Sequence, residues 1–189
     1  MAMNVIHKGY EPVSTPKGLM SGDIKKGAVM EGRRDLIESM NLLLEESLAA
    51  QNQNMVHAEM CGGWGYKKLE MAFRTRIILQ MHESEGLIER IIFLGGLPRI
   101  SKLNTIIKLG KTVEEMLGNE KGEVKAILHA YNKAIVLARK VRDQGSVELL
   151  TRILKMEEQQ SRWIEIQKVQ IQQLGLENYL NNQTENVVN

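Results

Sequence analysis

The chain has 189 residues, with 25 Lys and Arg against 23 Asp and Glu, and is 43% hydrophobic and 25% charged. That length supports one domain with its own core, the composition excludes a disordered chain, and the near-neutral balance argues against a nucleic-acid partner. A single cysteine, Cys61, excludes an internal disulfide framework or a multi-cysteine zinc site and suits a reducing cytoplasm. No apolar run approaches the roughly 18 residues of a membrane span, and the first twenty residues lack a signal-peptide stretch, so a cytoplasmic protein with no membrane partner is expected.

Residues 1–33 hold Pro12 and Pro16 and mix Gly, Ser and Lys without a sustained period, which predicts a flexible N-terminal arm. Four long proline-free segments follow, at 34–61, 64–94, 111–143 and 146–174, each rich in strong helix formers. Their breaks are Gly62-Gly63, Gly95-Gly96-Leu97-Pro98, Gln144-Gly145-Ser146 and Gly175. A short fifth helix is expected at 176–180, closing a domain over 34–181, and the Asn-rich tail at 182–189 should fray. Short links make the first two helices antiparallel, and likewise the last two long ones. The stretch from Gly95 to Gly110 is long enough to cross the whole bundle, so two helix pairs are joined by one crossover.

Each long helix carries an apolar stripe at alternating three- and four-residue steps. The first reads Met40, Leu43, Ser47, Ala50, Asn54, His57, and the second Phe73, Ile77, Gln80, Ser84, Leu87, Ile91, Leu94. The third reads Val113, Met116, Glu120, Glu123, Ile127, Ala130, Ala134, Leu137. The fourth reads Leu150, Leu154, Glu157, Gln160 or Ser161, Ile164, Ile171, Leu174. All four turn polar at one level, so Ser47, Asn54, Gln80, Glu83, Glu123, Glu157 and Gln160 should meet inside. Interior carboxylates are costly unless paired or metal-bound. The layer is therefore either a satisfied polar network or a metal site. Bundle di-iron sites use Glu-x-x-His motifs, and the sequence has none.

The second helix has another apolar line, Met71, Ile78, Met81, Ile88 and Ile92, about 100° from the first. Leu48, Asn52 and Met55 form a similar outward group on the first helix. A helix apolar on two faces points to oligomerisation or a ligand. Methionines there serve adaptable packing or, through the thioether, haem ligation on a symmetry axis, and spacing alone does not decide.

Several segments together resemble bacterioferritin, the haem-binding branch of the ferritin family. They are His57-Ala58 with Trp64-Gly65, the run Leu87-Ile88-Glu89-Arg90-Ile91-Ile92-Phe93-Leu94-Gly95-Gly96-Leu97-Pro98, and Val113-Glu114-Glu115-Met116-Leu117. Later come Ile153-Leu154, Glu157-Glu158, Trp163 and Gly175-Leu176-Glu177-Asn178-Tyr179-Leu180. The resemblance spans about 33–180. It implies an all-α, ferritin-like four-helix bundle with one long crossover loop and a short fifth C-terminal helix. It further implies a cage of twenty-four subunits that stores iron as a mineral, with haem b shared between two subunits. The haem iron's axial ligand falls on Met81, with Leu48, Asn52, Met55 and Ile78 as pocket walls.

The family's ferroxidase ligands fall on Ser47, Gln80, Glu83, Glu123, Glu157 and Gln160, of which only Glu123 and Glu157 keep the expected type. The family's second-shell Tyr falls on Asn54, and its inner-surface His and Asp on Thr75 and Leu79. Loss of both imidazoles and the bridging carboxylate removes what holds two irons together. The expectation is a haem-carrying subunit without its own ferroxidase centre. A ferroxidase-competent bacterioferritin chain and a ferredoxin-type electron donor are the expected partners. Two alternatives stand beside it: an oxidase using Glu83, Glu123, Glu157 and Glu120 as a rearranged carboxylate site, and a haem-free structural subunit.

His57 is expected to be a satisfied core residue, His82 polar surface, and Cys61 unreactive. Arg74, seven residues before Met81, could reach a haem propionate. The Gly pairs are helix stops rather than phosphate loops.

Overall fold

The structure, a computed structural model, describes residues 23–100 and 107–184, with side chains from residue 31 onward. Five helices follow in order: α1 (Asp23–Gly63), α2 (Lys67–Phe93), α3 (Val113–Lys140), α4 (Gln144–Leu174) and α5 (Leu176–Asn181). Among the described residues there is no strand. This is the expected four-helix bundle with a short fifth helix.

Three boundaries differ from expectation. Helix α1 begins at Asp23, inside the stretch read as an arm, and residues 1–22 lie outside the described residues. Between Asp23 and Arg33 there is no proline, and a nucleated helix extends at little cost. Gly32 is buried there, where an added Cβ would meet Val141 Cγ1 at 2.8 Å. The turn before α4 is Val141–Asp143 rather than Gln144–Ser146, because the Asp143 carboxylate accepts from the Ser146 amide at 3.3 Å and starts the helix at Gln144. The tail does not fray at once. The Asn182 and Gln183 carbonyls accept from Lys68 Nζ at 2.7 Å and from the Lys68 amide at 3.0 Å. Residues 185–189 of that tail lie outside the described residues.

Helix α1 packs along α2, α3 along α4, and α1 also along α3, whereas α2 and α4 touch little. Contacts run in opposite senses along α1 and α2 (Ser47 with Ser84, Asn54 with Gln80), so the two are antiparallel. The described ends of the crossover, residues 97–99 and 108–110, lie against α1. The Asn41 side chain donates to the Leu97 carbonyl and accepts from the Arg99 amide, and Glu45 accepts from Arg99 Nε at 2.8 Å. Further on, Gln53 accepts from the Lys108 amide and His57 meets the Gly110 amide. Helix α3 starts with Thr112 accepting from the Glu115 amide at 3.2 Å while Glu115 accepts from the Lys111 amide at 2.7 Å.

Two apolar clusters fill the ends of the bundle. One gathers Leu36, Met40, Leu43, Leu44, Leu87, Ile91, Ala134 and Leu150, and the other Ala58, Leu69, Phe73, Met116, Leu117 and Tyr179. Each fully buried Leu contributes roughly 1.5–3 kcal/mol. A polar layer separates the clusters.

Candidate functional site

That layer surrounds a cavity of about 30 Å³, about the room one water occupies. Ser47, Gln53, Asn54, Arg76, Gln80, Glu120, Glu123, Glu157 and Gln160 line it. The expected interior set is therefore brought together, with Glu83 beside it through Arg76. Helical geometry explains the convergence, since Ser47 and Asn54 of α1, and Arg76, Gln80 and Glu83 of α2, are separated by three, four or seven residues.

Many of the polar side chains pair with one another, although Asn54 Oδ1 is buried with no hydrogen-bond partner among the described residues. Asn54 donates to Gln80 Oε1 at 3.0 Å, Ser47 and Ser84 share a hydrogen bond of 3.0 Å, and Gln53 donates to Glu123 Oε2 at 2.7 Å. His57 Nδ1 lies 3.2 Å from Glu120 Oε1, whose other oxygen accepts from Gln160 at 3.2 Å. His57 is fully buried and partnered, as expected of a core residue.

Like Gln53, which also lines the cavity, Arg76 was missed by the sequence reading. It is 5% exposed, and its guanidinium donates to Glu83 Oε1 at 3.1 Å and to Glu157 Oε1 at 2.5 Å. Burial opposes its charge, but the two carboxylates outweigh burial and hold it protonated. Glu83 is pushed up to about 7, chiefly by burial and further by Glu157, against the pull of Arg76. Burial also raises Glu123, opposed by the Gln53 hydrogen bond. Tyr131, fully buried, is raised well above its usual range by the same cause. Glu83 Oε2 and Glu123 Oε1 make no hydrogen bond among the described residues. No group of three or more His, Cys, Asp or Glu among the described residues is arranged to hold a metal ion. Arg76 stands four residues before Gln80 and seven before Glu83, at the edge of the inward stripe.

The outer face of α2 is different. Met81, adjacent to the buried Gln80, is 47% exposed, Ile78 is 55% exposed, and Met71 and Ile92 are also exposed. On α1, Met55 is 49% exposed, Asn52 is exposed and Leu48 is half-buried against the core. The outward lines read from spacing thus carry apolar side chains at the surface. A half-exposed thioether among exposed aliphatic side chains is a donor and a setting that fit an apolar macrocycle with a soft axial ligand. Arg74 is taken up by Glu70 and Glu59, at 3.0 Å each, and His82 pairs with Glu85 at 3.1 Å on the surface. Cys61 is buried, and its thiol is pushed up to about 12 by burial and by Glu120 and Glu70, so it is inert. Thr75 and Leu79 line a groove of about 290 Å³ between α2 and α4.

Two antiparallel helix pairs, one crossover and a polar layer at mid-height define a ferritin-like protein, and the model of the ferritin-like domain matches residues 37–174. A "Bacterial ferritin" of Synechocystis sp. is 32% identical over 155 residues, covering 82% of this chain and 99% of the relative. One of Pseudomonas aeruginosa matches with the same identity and coverage. A "Bacterioferritin" of Mycobacterium leprae is 28% identical over 150 residues, 79% of this chain and 94% of the relative. The chain belongs to the bacterioferritin family. No helix among the described residues is long and apolar enough to cross a membrane.

Proposed function

We propose that the chain is a haem-binding subunit of a cytoplasmic iron-storage cage and has no ferroxidase centre of its own. One contrast on α2 carries the reading: Met81 presents its thioether to solvent, while its neighbour Gln80 is 2% exposed and hydrogen-bonded to Asn54. The family and the names of the relatives support iron storage and an oligomeric shell. Met81 would hold haem b between two subunits, with Leu48, Asn52, Met55 and Ile78 as its walls. Bound there, haem supplies one-electron redox chemistry for reducing stored ferric iron. The chain's own residues hold the haem at the surface of α2, clear of the sealed interior.

The residues inside the bundle do not fit a pair of metal ions. Ser47, Gln80 and Gln160 offer no anionic or imidazole donor, and Arg76 already occupies one oxygen each of Glu83 and Glu157. Iron oxidation then falls to a second, ferroxidase-competent bacterioferritin chain in a mixed cage of twenty-four subunits, and a ferredoxin-type donor supplies electrons. The purified chain, titrated with Fe(II) in air, is expected to form ferric product no faster than buffer alone. A rate far above that control would overturn the reading.

A second reading, a carboxylate metal site, is favoured by one observation. Glu83 Oε2 and Glu123 Oε1 are buried and accept no hydrogen bond among the described residues. Anomalous scattering from a crystal soaked in Mn(II) distinguishes the two, because an occupied peak at the bundle centre supports the carboxylate site.

A further inference from the structure

We infer that Arg76 is the resident cation of the bundle centre, a covalently fixed charge that takes the place of a metal between Glu83 and Glu157 and keeps divalent cations out. The inference rests on the reading that this chain has no ferroxidase centre, and explains how its interior is held without one.

Four carboxylates, Glu83, Glu120, Glu123 and Glu157, stand in or beside the layer, and a buried carboxylate needs a counter-charge or hydrogen-bond donors. Glu120 and Glu123 are served by neutral or histidine donors, namely Gln160 with His57, and Gln53. Among the described residues, the cation paired with both Glu83 and Glu157 is Arg76. Glu83 lies on α2 and Glu157 on α4, the long helices that touch little, so the guanidinium ties across that seam. A divalent metal would make the same tie, by accepting one carboxylate from each of two facing helices. Unlike a metal, the guanidinium neither dissociates nor loses its proton at any physiological pH.

Exclusion follows from the same contacts. A hard cation needs several oxygens at roughly 2.0–2.6 Å, and the oxygens facing each other across the seam already accept from Nη1 and Nη2. Arg76 and Gln160 line both the small central cavity and the groove of about 290 Å³ between α2 and α4. The Arg76 side chain is thus both occupant and door. Its truncation would join the groove to the centre and leave Glu83 and Glu157 facing an open space.

The test uses Co(II), whose visible absorption reports protein ligands, on the full-length chain as purified. Wild type is expected to show no interior Co(II) band. Arg76→Ala is expected to melt lower by roughly 10 °C without metal, to gain a Co(II) band, and to recover melting temperature when Co(II) is added. Adding Glu157→Gln to that variant should abolish the band. Wild type that binds Co(II) and loses it on Glu157→Gln would overturn the inference, as would folded Arg76→Ala that binds none. If Arg76→Ala does not fold, the triple variant Arg76→Ala, Glu83→Gln, Glu157→Gln decides. Folding of the triple supports the charge role, and its failure overturns it. Haem content and Fe(II) oxidation by wild type test the proposed function separately, because neither depends on whether Arg76→Ala gains a metal.

Discussion

Arg90, in the last turn of α2, pairs with Asp143 at the mouth of α4, so one carboxylate caps a helix and ties together two helices that otherwise meet little. Asp143 also accepts from the Ser146 hydroxyl at 2.7 Å, and Arg90 Nε donates to that hydroxyl at 2.9 Å. Removal of both roles in Asp143→Ala is expected to cost about 1–3 kcal/mol in urea unfolding at pH 7. Partial burial raises the Asp143 carboxyl, but the Ser146 hydrogen bonds and the Arg90 charge prevail and hold it below the usual range. A carboxyl lowered on folding stabilises above its unfolded pKa, and that stability is lost as pH falls through the lower folded value. The gap between wild type and Asp143→Ala should therefore be full above about pH 5 and should narrow below about pH 4. A gap that widens in acid would contradict the assignment.

Met81→Ala is expected to abolish stoichiometric haem after haem-replete expression, read as Soret absorbance per chain. Because Met81 is half exposed, stability should change by less than about 0.5 kcal/mol. Met81→His should keep haem with an altered reduced spectrum, since imidazole replaces thioether. Full haem with an unchanged spectrum in Met81→Ala would remove Met81 as ligand.

Glycines on α3 and at its entrance should respond oppositely to alanine. At Gly118 and Gly122, both exposed within the helix, an added Cβ meets nothing within 4 Å. Each Gly→Ala change there should stabilise by roughly 0.5–1 kcal/mol through helix propensity. At Gly110 a Cβ would lie 2.3 Å from the Met116 amide nitrogen, so backbone must shift. Gly110→Ala is expected to destabilise by roughly 2 kcal/mol or more, measured as a lower urea midpoint.

Tyr179 fastens α5 to α4 by donating to Gln167 Oε1 at 2.8 Å from a fully buried ring. Tyr179→Phe should cost about 1–2 kcal/mol, the worth of the hydrogen bond and its stranded acceptor. Tyr179→Ala should cost about 3–5 kcal/mol, because a cavity is added. Equal losses in the two variants would show that ring packing contributes nothing.

Much of the bundle was legible because long proline-free segments with 3.6-residue stripes leave few alternatives. The level at which Ser47, Gln80, Glu123 and Glu157 interrupt those stripes is where the structure has its small polar-lined cavity. Arg76 was not legible as a centre residue. Arginine at a stripe edge normally carries its charge to solvent, and only packing against Glu83 and Glu157 draws it inward. The start of α1 was missed because Gly27 and Gly32 look like loop residues, whereas Gly32 is small where Val141 approaches. The α3–α4 turn was misplaced because Gly145 drew the break toward itself, while the Asp143 cap sets it two residues earlier.

Gln80 and Met81 are consecutive, yet one is sealed in the bundle and the other meets solvent. Substitutions on the two faces of α2 therefore meet separate surroundings, so the sealed layer and the solvent-facing line are free to change independently over generations. They share the rod that carries both, and a bend in α2 would disturb the two together.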